Sequence, residues 1–225
     1  MSDEVLTAKE LIAKRAASEL KENHVVNLGI GIPTLVAKYV QSDSIFFHTE
    51  NGLLGVKELS DESEYDPFRV NAGKLPVGEM LGASYFDSAT SFAMIRGSHV
   101  DVAILGTLQV DEEGLIANWA VPGKNIMGVG GAMDLLVGAK KIIITTFHTN
   151  KKGEPKLVKK CTYPITSIRK VDMIITELAV FERKNEEWHL IEVMPNATFQ
   201  QVMDHTEFSF KVDESLTQFD KGLLR

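Results

Sequence analysis

The stretch His24-Val25-Val26-Asn27-Leu28-Gly29-Ile30-Gly31-Ile32-Pro33-Thr34 decides the fold. Its first five residues, HVVNL, have the apolar, β-branched character of a short strand. Two glycines one residue apart end the run, and the spacing then predicts a helix over 34–40 with Pro33 or Thr34 near its start. Strand, glycine turn and helix in succession make up the unit of a parallel sheet. On the N-terminal side, Thr7 with Glu10 three residues on fits a capping box, in which hydroxyl and carboxylate each satisfy a free backbone N–H. Leu11, Ile12, Arg15, Ala16 and Leu20 follow at helical spacing.

The pattern recurs downstream. Residues 45–49 (IFFHT) read as a strand that stops at Glu50-Asn51-Gly52. Asp87 or Ser88 caps a helix that runs through Met94 and ends at Gly97, ahead of a strand at 100–105. Segments 108–110 and 115–118 flank the turn Asp111-Glu112-Glu113-Gly114 as a hairpin. A short helix is expected at 133–137, strands at 141–147 and 171–176, a strand pair at 180–181 and 188–193, and a late helix at 198–205. Lys151-Lys152-Gly153-Glu154-Pro155 reads as a surface loop and not as a domain boundary. The expectation is one domain over residues 1–225: an α/β fold with a single open, mostly parallel sheet and a β-hairpin addition.

Composition narrows the chemistry. Lys and Arg number 24 against 31 Asp and Glu, a formal charge of −7, which argues against a chain whose main partner is a nucleic-acid backbone. A single cysteine, Cys161, excludes an internal disulfide framework and a multi-thiolate zinc site, and it reads as a small buried hydrophobe. The opening MSDEVLTAKE lacks the basic and apolar regions of a secretory signal, and no run approaches about 20 apolar residues, so a cytoplasmic protein is expected. The six histidines show no HExxH and no repeated ligand spacing, no GxSxG is present, and no metal is expected. Trp119 and Trp188 read as core aromatics.

Three glycine-bearing segments carry the functional signal. Asn51-Gly52 demands a tight turn at the C-terminal end of an apolar strand, the edge where ligands bind in open α/β sheets, and this places Glu50 where a carboxylate meets substrate. His48, two residues earlier on the same strand face, either orients substrate or packs in the core. In Gly128-Val129-Gly130-Gly131-Ala132, unshielded backbone N–H groups can hold an anion or a developing oxyanion. The third segment, Gly29-Ile30-Gly31, echoes a dinucleotide fingerprint, but Thr34 stands at the third glycine position and Pro33 interrupts the turn.

Taken in order, these and further segments resemble the family I coenzyme A transferases, specifically the β chain of the two-chain 3-oxoacid and acetate/butyrate–acetoacetate enzymes. The matching runs are 27–34 (NLGIGIPT), 50–52 (ENG), 82–86 (GASYF), 91–97 (SFAMIRG) and 99–101 (HVD). Further matches are 109–111 (QVD), 117–119 (ANW), 122–124 (PGK) and 130–135 (GGAMDL). The resemblance implies a CoA-transferase-like fold with Glu50 as the nucleophile of a Ser-Glu-Asn-Gly motif. It further implies coenzyme A as co-substrate, no tightly bound cofactor, and an α subunit of similar size in an α2β2 assembly. Thr49 stands where the family usually has Ser, Ser98 where Gly is usual, Thr107 for Ala and Val129 for Met, which leaves the preferred acyl group open.

The residue chemistry fits that assignment. A carboxyl with an unperturbed pKa of about 4.3 is ionised at neutral pH, so it attacks a thioester without an activating base. Backbone donors around Gly130, Gly131 and Ala132 are expected to stabilise the oxyanion, each worth roughly 3 kcal/mol if well placed. Asn51 either adds a side-chain donor or only shapes the turn. Lys124, with Lys140 and Lys141, is a candidate for the CoA phosphates. The same residues leave two other functions open: a thioesterase-like hydrolase, in which Glu50 intercepts water, and a non-catalytic phosphosugar or nucleotide binder.

Overall fold

The computed structural model describes residues 6–59, 61, 65–71, 73–123, 126 and 128–218. In chain order the first half contains α1 (Ala8–Ala17), β1 (Val25–Leu28), a 3-10 helix (Ile32–Tyr39), β2 (Phe46–Thr49), β3 (Leu53–Lys57), β4 (Gly78–Tyr85), α2 (Ser88–Arg96) and β5 (Val102–Leu105). The second half contains β6 (Gln109–Asp111), β7 (Ile116–Ala117), α3 (Ala132–Gly138), β8 (Lys141–Thr145), β9 (Leu157–Val158), β10 (Met173–Ile175), β11 (Ala179–Lys184), β12 (Glu187–Val193), α4 (Phe199–His205) and β13 (Phe210–Gln218).

Among the described residues, ten strands form one sheet in the order β13-β12-β11-β10-β8-β5-β1-β2-β3-β4. The five at its centre, β10, β8, β5, β1 and β2, are parallel, as the strand–turn–helix reading requires. They are short apolar runs such as VAIL in β5 and MII in β10, buried on both faces, which suits strands covered on each side by helices. Both flanks differ from the expectation. β3 and β4 extend the sheet antiparallel beyond β2, and β11 with β12 form an antiparallel hairpin beyond β10. β6 and β7 make the expected hairpin, joined by β9 into a separate three-stranded sheet.

The local signals at chain reversals hold. Thr7 and Glu10 form the reciprocal capping box of α1, Asp87 caps α2, and Gly97 follows its last turn. Arg15 sits on the buried face of α1 because two carboxylates meet it there, Glu192 at 2.7 Å and Glu19 at 2.8 Å. A buried guanidinium needs such partners, and the pair ties α1 to β12. The 34–40 helix starts earlier and winds as a tighter 3-10 spiral over Ile32–Tyr39, with Pro33 in its first turn. Trp188 is a core aromatic stacked on Phe208, whereas Trp119 is only partly buried. No described helix is long and apolar enough to cross a membrane.

Candidate active site

The central strands are parallel, so their C-terminal ends share one edge of the sheet. The reversals after β1, β2 and β5 and the glycine-rich turn before α3 meet there. They enclose a cleft of about 530 Å³ lined by Gly29, Ile30, Glu50, Gly106, Thr107, Leu108, Asn118 and Gly128 through Ala132. Adjacent strand ends of a parallel sheet form such crevices.

Glu50 enters the cleft from a turn. The Gly52 N–H donates to the Thr49 carbonyl at 3.0 Å, which leaves Glu50 and Asn51 at the two central positions. The positive φ falls on Gly52 (+113°) and not on Asn51, so the turn differs from an Asn-Gly turn with both residues left-handed. The Glu50 side chain packs directly against Gly131. A Cβ added at 131 would lie 3.1 Å from Glu50 Cγ, 3.3 Å from Cδ and 3.4 Å from Phe92 Cζ.

Close helix packing brings this glycine to the carboxylate. A Cβ at Gly138, the last residue of α3, would stand 2.0 Å from the Ile95 carbonyl of α2, so only glycine permits the approach. Arg96 of α2 then pairs with Asp134 of α3 at 2.7 Å. Gly131 itself has φ −81°, a conformation alanine adopts freely. Gly131→Ala therefore leaves the fold intact and displaces the carboxylate. The expected result is a fall in kcat of about 100-fold, read by steady-state kinetics, with an unchanged thermal melt.

Burial pushes the Glu50 carboxyl above its ordinary value, and a hydrogen bond from the Asn27 amide partly opposes that shift. A carboxylate stripped of water gains basicity, which suits a nucleophile. His48 is 2% exposed, stacks on Phe86, and is pushed down to about 4 by burial, so it is neutral at pH 7. Of its two readings, the structure supports the buried one. Cys161 is partly buried, and burial raises its thiol to about 12, which leaves it unreactive. Among the described residues, no group of three or more His, Cys, Asp or Glu side chains could hold a metal ion.

Of the residues singled out in the sequence, Glu50, Gly130, Gly131 and Ala132 come together. Asn51 does not line the cleft; it is exposed, and its amide donates to the Val70 carbonyl at 2.9 Å, which braces the turn. Lys124 lies outside the described residues. Lys140 and Lys141 stand at the start of β8, on the opposite edge of the sheet from Glu50, paired with Asp101 and Glu19 at 2.7 Å each. The Ala132 N–H turns back to Val129 at 3.4 Å, whereas those of Gly130 and Gly131 meet no backbone acceptor among the described residues. Gly29 and Ile30, read as a weak dinucleotide echo, prove to be a wall of the Glu50 cleft. The adjacency of β1 and β2 was the signal for that. Behind Thr107, the buried Lys156 ammonium donates to its carbonyl at 2.7 Å and steadies that wall.

The sequence profile of the coenzyme A transferases matches residues 9–205. The chain belongs to the coenzyme A transferase family. It is 50% identical over 204 residues to the second of the two chains of the Helicobacter pylori succinyl-CoA:3-ketoacid coenzyme A transferase, covering 91% of this chain and 99% of that one. It is 46% identical over 212 residues to the beta chain of the Escherichia coli K12 acetate CoA-transferase, covering 94% and 97%. Among solved structures, the acyl-CoA transferase YdiF apoenzyme from Escherichia coli O157:H7 aligns with a TM-score of 0.80 at 25% identity. That alignment takes in 99% of this transferase and 45% of YdiF, so the chain spans about half of that longer protein. Glutaconate coenzyme A-transferase from Acidaminococcus fermentans shares the fold, with a TM-score of 0.71 at 18% identity over 96% of this chain and 89% of that one. The transferase is thus an enzyme that transfers CoA.

Proposed function

We propose that this chain is the catalytic β subunit of a transferase that moves CoA between a short-chain acyl-CoA and a carboxylate such as acetoacetate, acetate or butyrate. The observation that carries the reading is the Glu50 carboxylate, seated against Gly131 in a cleft walled by main-chain turns. A Glu50 oxygen attacks the thioester carbonyl, and collapse of the tetrahedral adduct expels CoA thiolate, leaving an acyl-glutamyl anhydride. The thiolate then attacks the glutamyl carbonyl, forming a glutamyl-CoA thioester and releasing the first acid as its carboxylate. A second carboxylate reverses both steps. The N–H groups of Gly130 and Gly131 are the proposed donors to the oxyanion. Asn51 serves the turn that presents Glu50. The names of the relatives at 46–50% identity support acetate and 3-ketoacid substrates.

The same reading calls for a companion α subunit in an α2β2 assembly, in the cytoplasm, with residues 1–225 acting as one domain. Ile30 in the cleft wall is 69% exposed, and Met133 and Val137 on α3 are 39% and 69% exposed, an apolar rim that a partner would cover. Covering it would also keep water from the anhydride and the thioester. The test is to incubate the assembled enzyme with acyl-CoA, add borohydride and digest for mass spectrometry. Reduction of the trapped thioester is expected to convert Glu50 to its alcohol. An active enzyme that yields only unmodified Glu50 would overturn the mechanism.

A further inference from the structure

Asn27 on β1 stands in register beside His48 on β2, and the two side chains are buried at 1% and 2% exposure. The Asn27 amide nitrogen lies 3.2 Å from the His48 carbonyl oxygen and 3.2 Å from His48 Nδ1. Across the ring, His48 Nε2 meets Ser91 Oγ of α2 at 3.0 Å, and that hydroxyl reaches the Thr49 carbonyl at 3.4 Å. Ser91 is fully buried.

Donors and acceptors follow from these contacts. A peptide carbonyl only accepts, so the end of the Asn27 side chain facing His48 is its NH2 group. That group also donates to Nδ1, so the imidazole proton resides on Nε2. The Nε2–H donates to Ser91 Oγ, and the serine proton goes to the Thr49 carbonyl. The other end of the amide, Asn27 Oδ1, is buried without a hydrogen-bond partner among the described residues. An unpaired buried acceptor destabilises a fold, and a rule broken beside a reactive group points to function.

We infer that His48 and Ser91 are positioning residues: the Ser91–His48 pair fixes which end of the Asn27 amide faces Glu50 and thereby holds the carboxylate in its attacking orientation. The inference rests on Glu50 being the nucleophile. Were the imidazole proton on Nδ1, Asn27 would turn its oxygen toward the ring, and the hydrogen bond that the Asn27 amide gives Glu50 would be disturbed. Ser91 adds a second hold through the Thr49 carbonyl, the peptide that carries Glu50.

The test compares His48→Leu, His48→Gln and Ser91→Ala in the assembled enzyme, with Glu50→Gln as control. His48→Leu is expected to lower kcat about 30-fold with KM for acyl-CoA within about twofold, because orientation and not binding is lost. His48→Gln, whose amide accepts from Asn27 and donates to Ser91, should recover most of that kcat, and Ser91→Ala should fall between the two. Nitrogen-15 NMR of the wild-type protein should show His48 as the Nε2–H tautomer, a readout independent of whether the leucine variant folds. Wild-type kcat in His48→Leu, equal losses in the leucine and glutamine variants, or an Nδ1–H tautomer would each overturn the inference. Transfer retained by Glu50→Gln would instead sink the nucleophile assignment beneath it.

Discussion

Glu50→Gln is expected to abolish CoA transfer, with kcat reduced about 10⁴-fold or more, while the folded protein becomes more resistant to heat. The two effects share one cause. The amide has nearly the shape of the carboxyl and keeps an oxygen that accepts the Asn27 N–H, so packing against Gly131 is preserved. It is no nucleophile, and losing the attacking group of a covalent mechanism typically removes most of the rate. Burial holds the Glu50 carboxyl above its ordinary value of 4.5, so the ionised form is less comfortable in the fold than in the unfolded chain. Removing that charge relieves the fold. A thermal melt beside a transfer assay checks both halves, and a variant with reduced Tm and residual transfer would contradict the account.

The pH dependence follows with opposite signs for stability and rate. Between 4.5 and the raised value, the folded protein binds the Glu50 proton more fully than the unfolded chain does, so stability falls as pH rises through that window. The glutamine variant lacks this fall, and its advantage in Tm should be larger at neutral pH than near pH 4.5. Transfer needs the carboxylate, so kcat/KM of the wild-type enzyme should rise through the same window on one proton. His48, at about 4, titrates below it and stays neutral wherever Glu50 is ionised.

The central sheet was legible because each of its parallel strands is a short apolar run ended by glycine or a capping residue, as at Gly29, Glu50-Asn51-Gly52 and Asp87. β3 and β4 were not. LLGVK and GEMLGASY contain glycine, and β4 is exposed along most of its length, so neither has the alternation or the buried run that marks a strand. Glu50 could be placed at the edge of the sheet from its turn, and the glycines at 130 and 131 could be read as an anion-binding segment. Their contact could not. It depends on α2 and α3 meeting at Gly138, eighty-eight residues beyond Glu50, a long-range fact that no local pattern encodes. For the same reason Lys140 and Lys141 looked available until β8 was set in register beside β5. The direction of a strand decides which of its ends is functional.

Gly52→Ala should fail at the level of the fold, in contrast to Gly131→Ala. At Gly52, φ is +113°, a region that L side chains rarely adopt, and the added methyl carbon would lie 1.9 Å from the Phe86 carbonyl oxygen. That oxygen is backbone and cannot swing aside, because the Phe86 N–H is hydrogen-bonded to the Gly52 carbonyl at 3.0 Å. Relief therefore means breaking the pairing at the Leu53↔Tyr85 end of β3 and β4. Left-handed strain of about 1–2 kcal/mol adds to overpacking of about 1–3 kcal/mol. Their sum, about 2–5 kcal/mol, is a large share of ordinary domain stability and corresponds to a Tm lower by about 10 °C in a chain of this size. Because the same glycine closes the turn that presents Glu50, the fraction still folded should have lost transfer as well. Differential scanning calorimetry with single-turnover acyl transfer separates the two losses. A variant that melts with the wild type would show that the Phe86 strand end yields at little cost, and that the turn tolerates a side chain the geometry excludes.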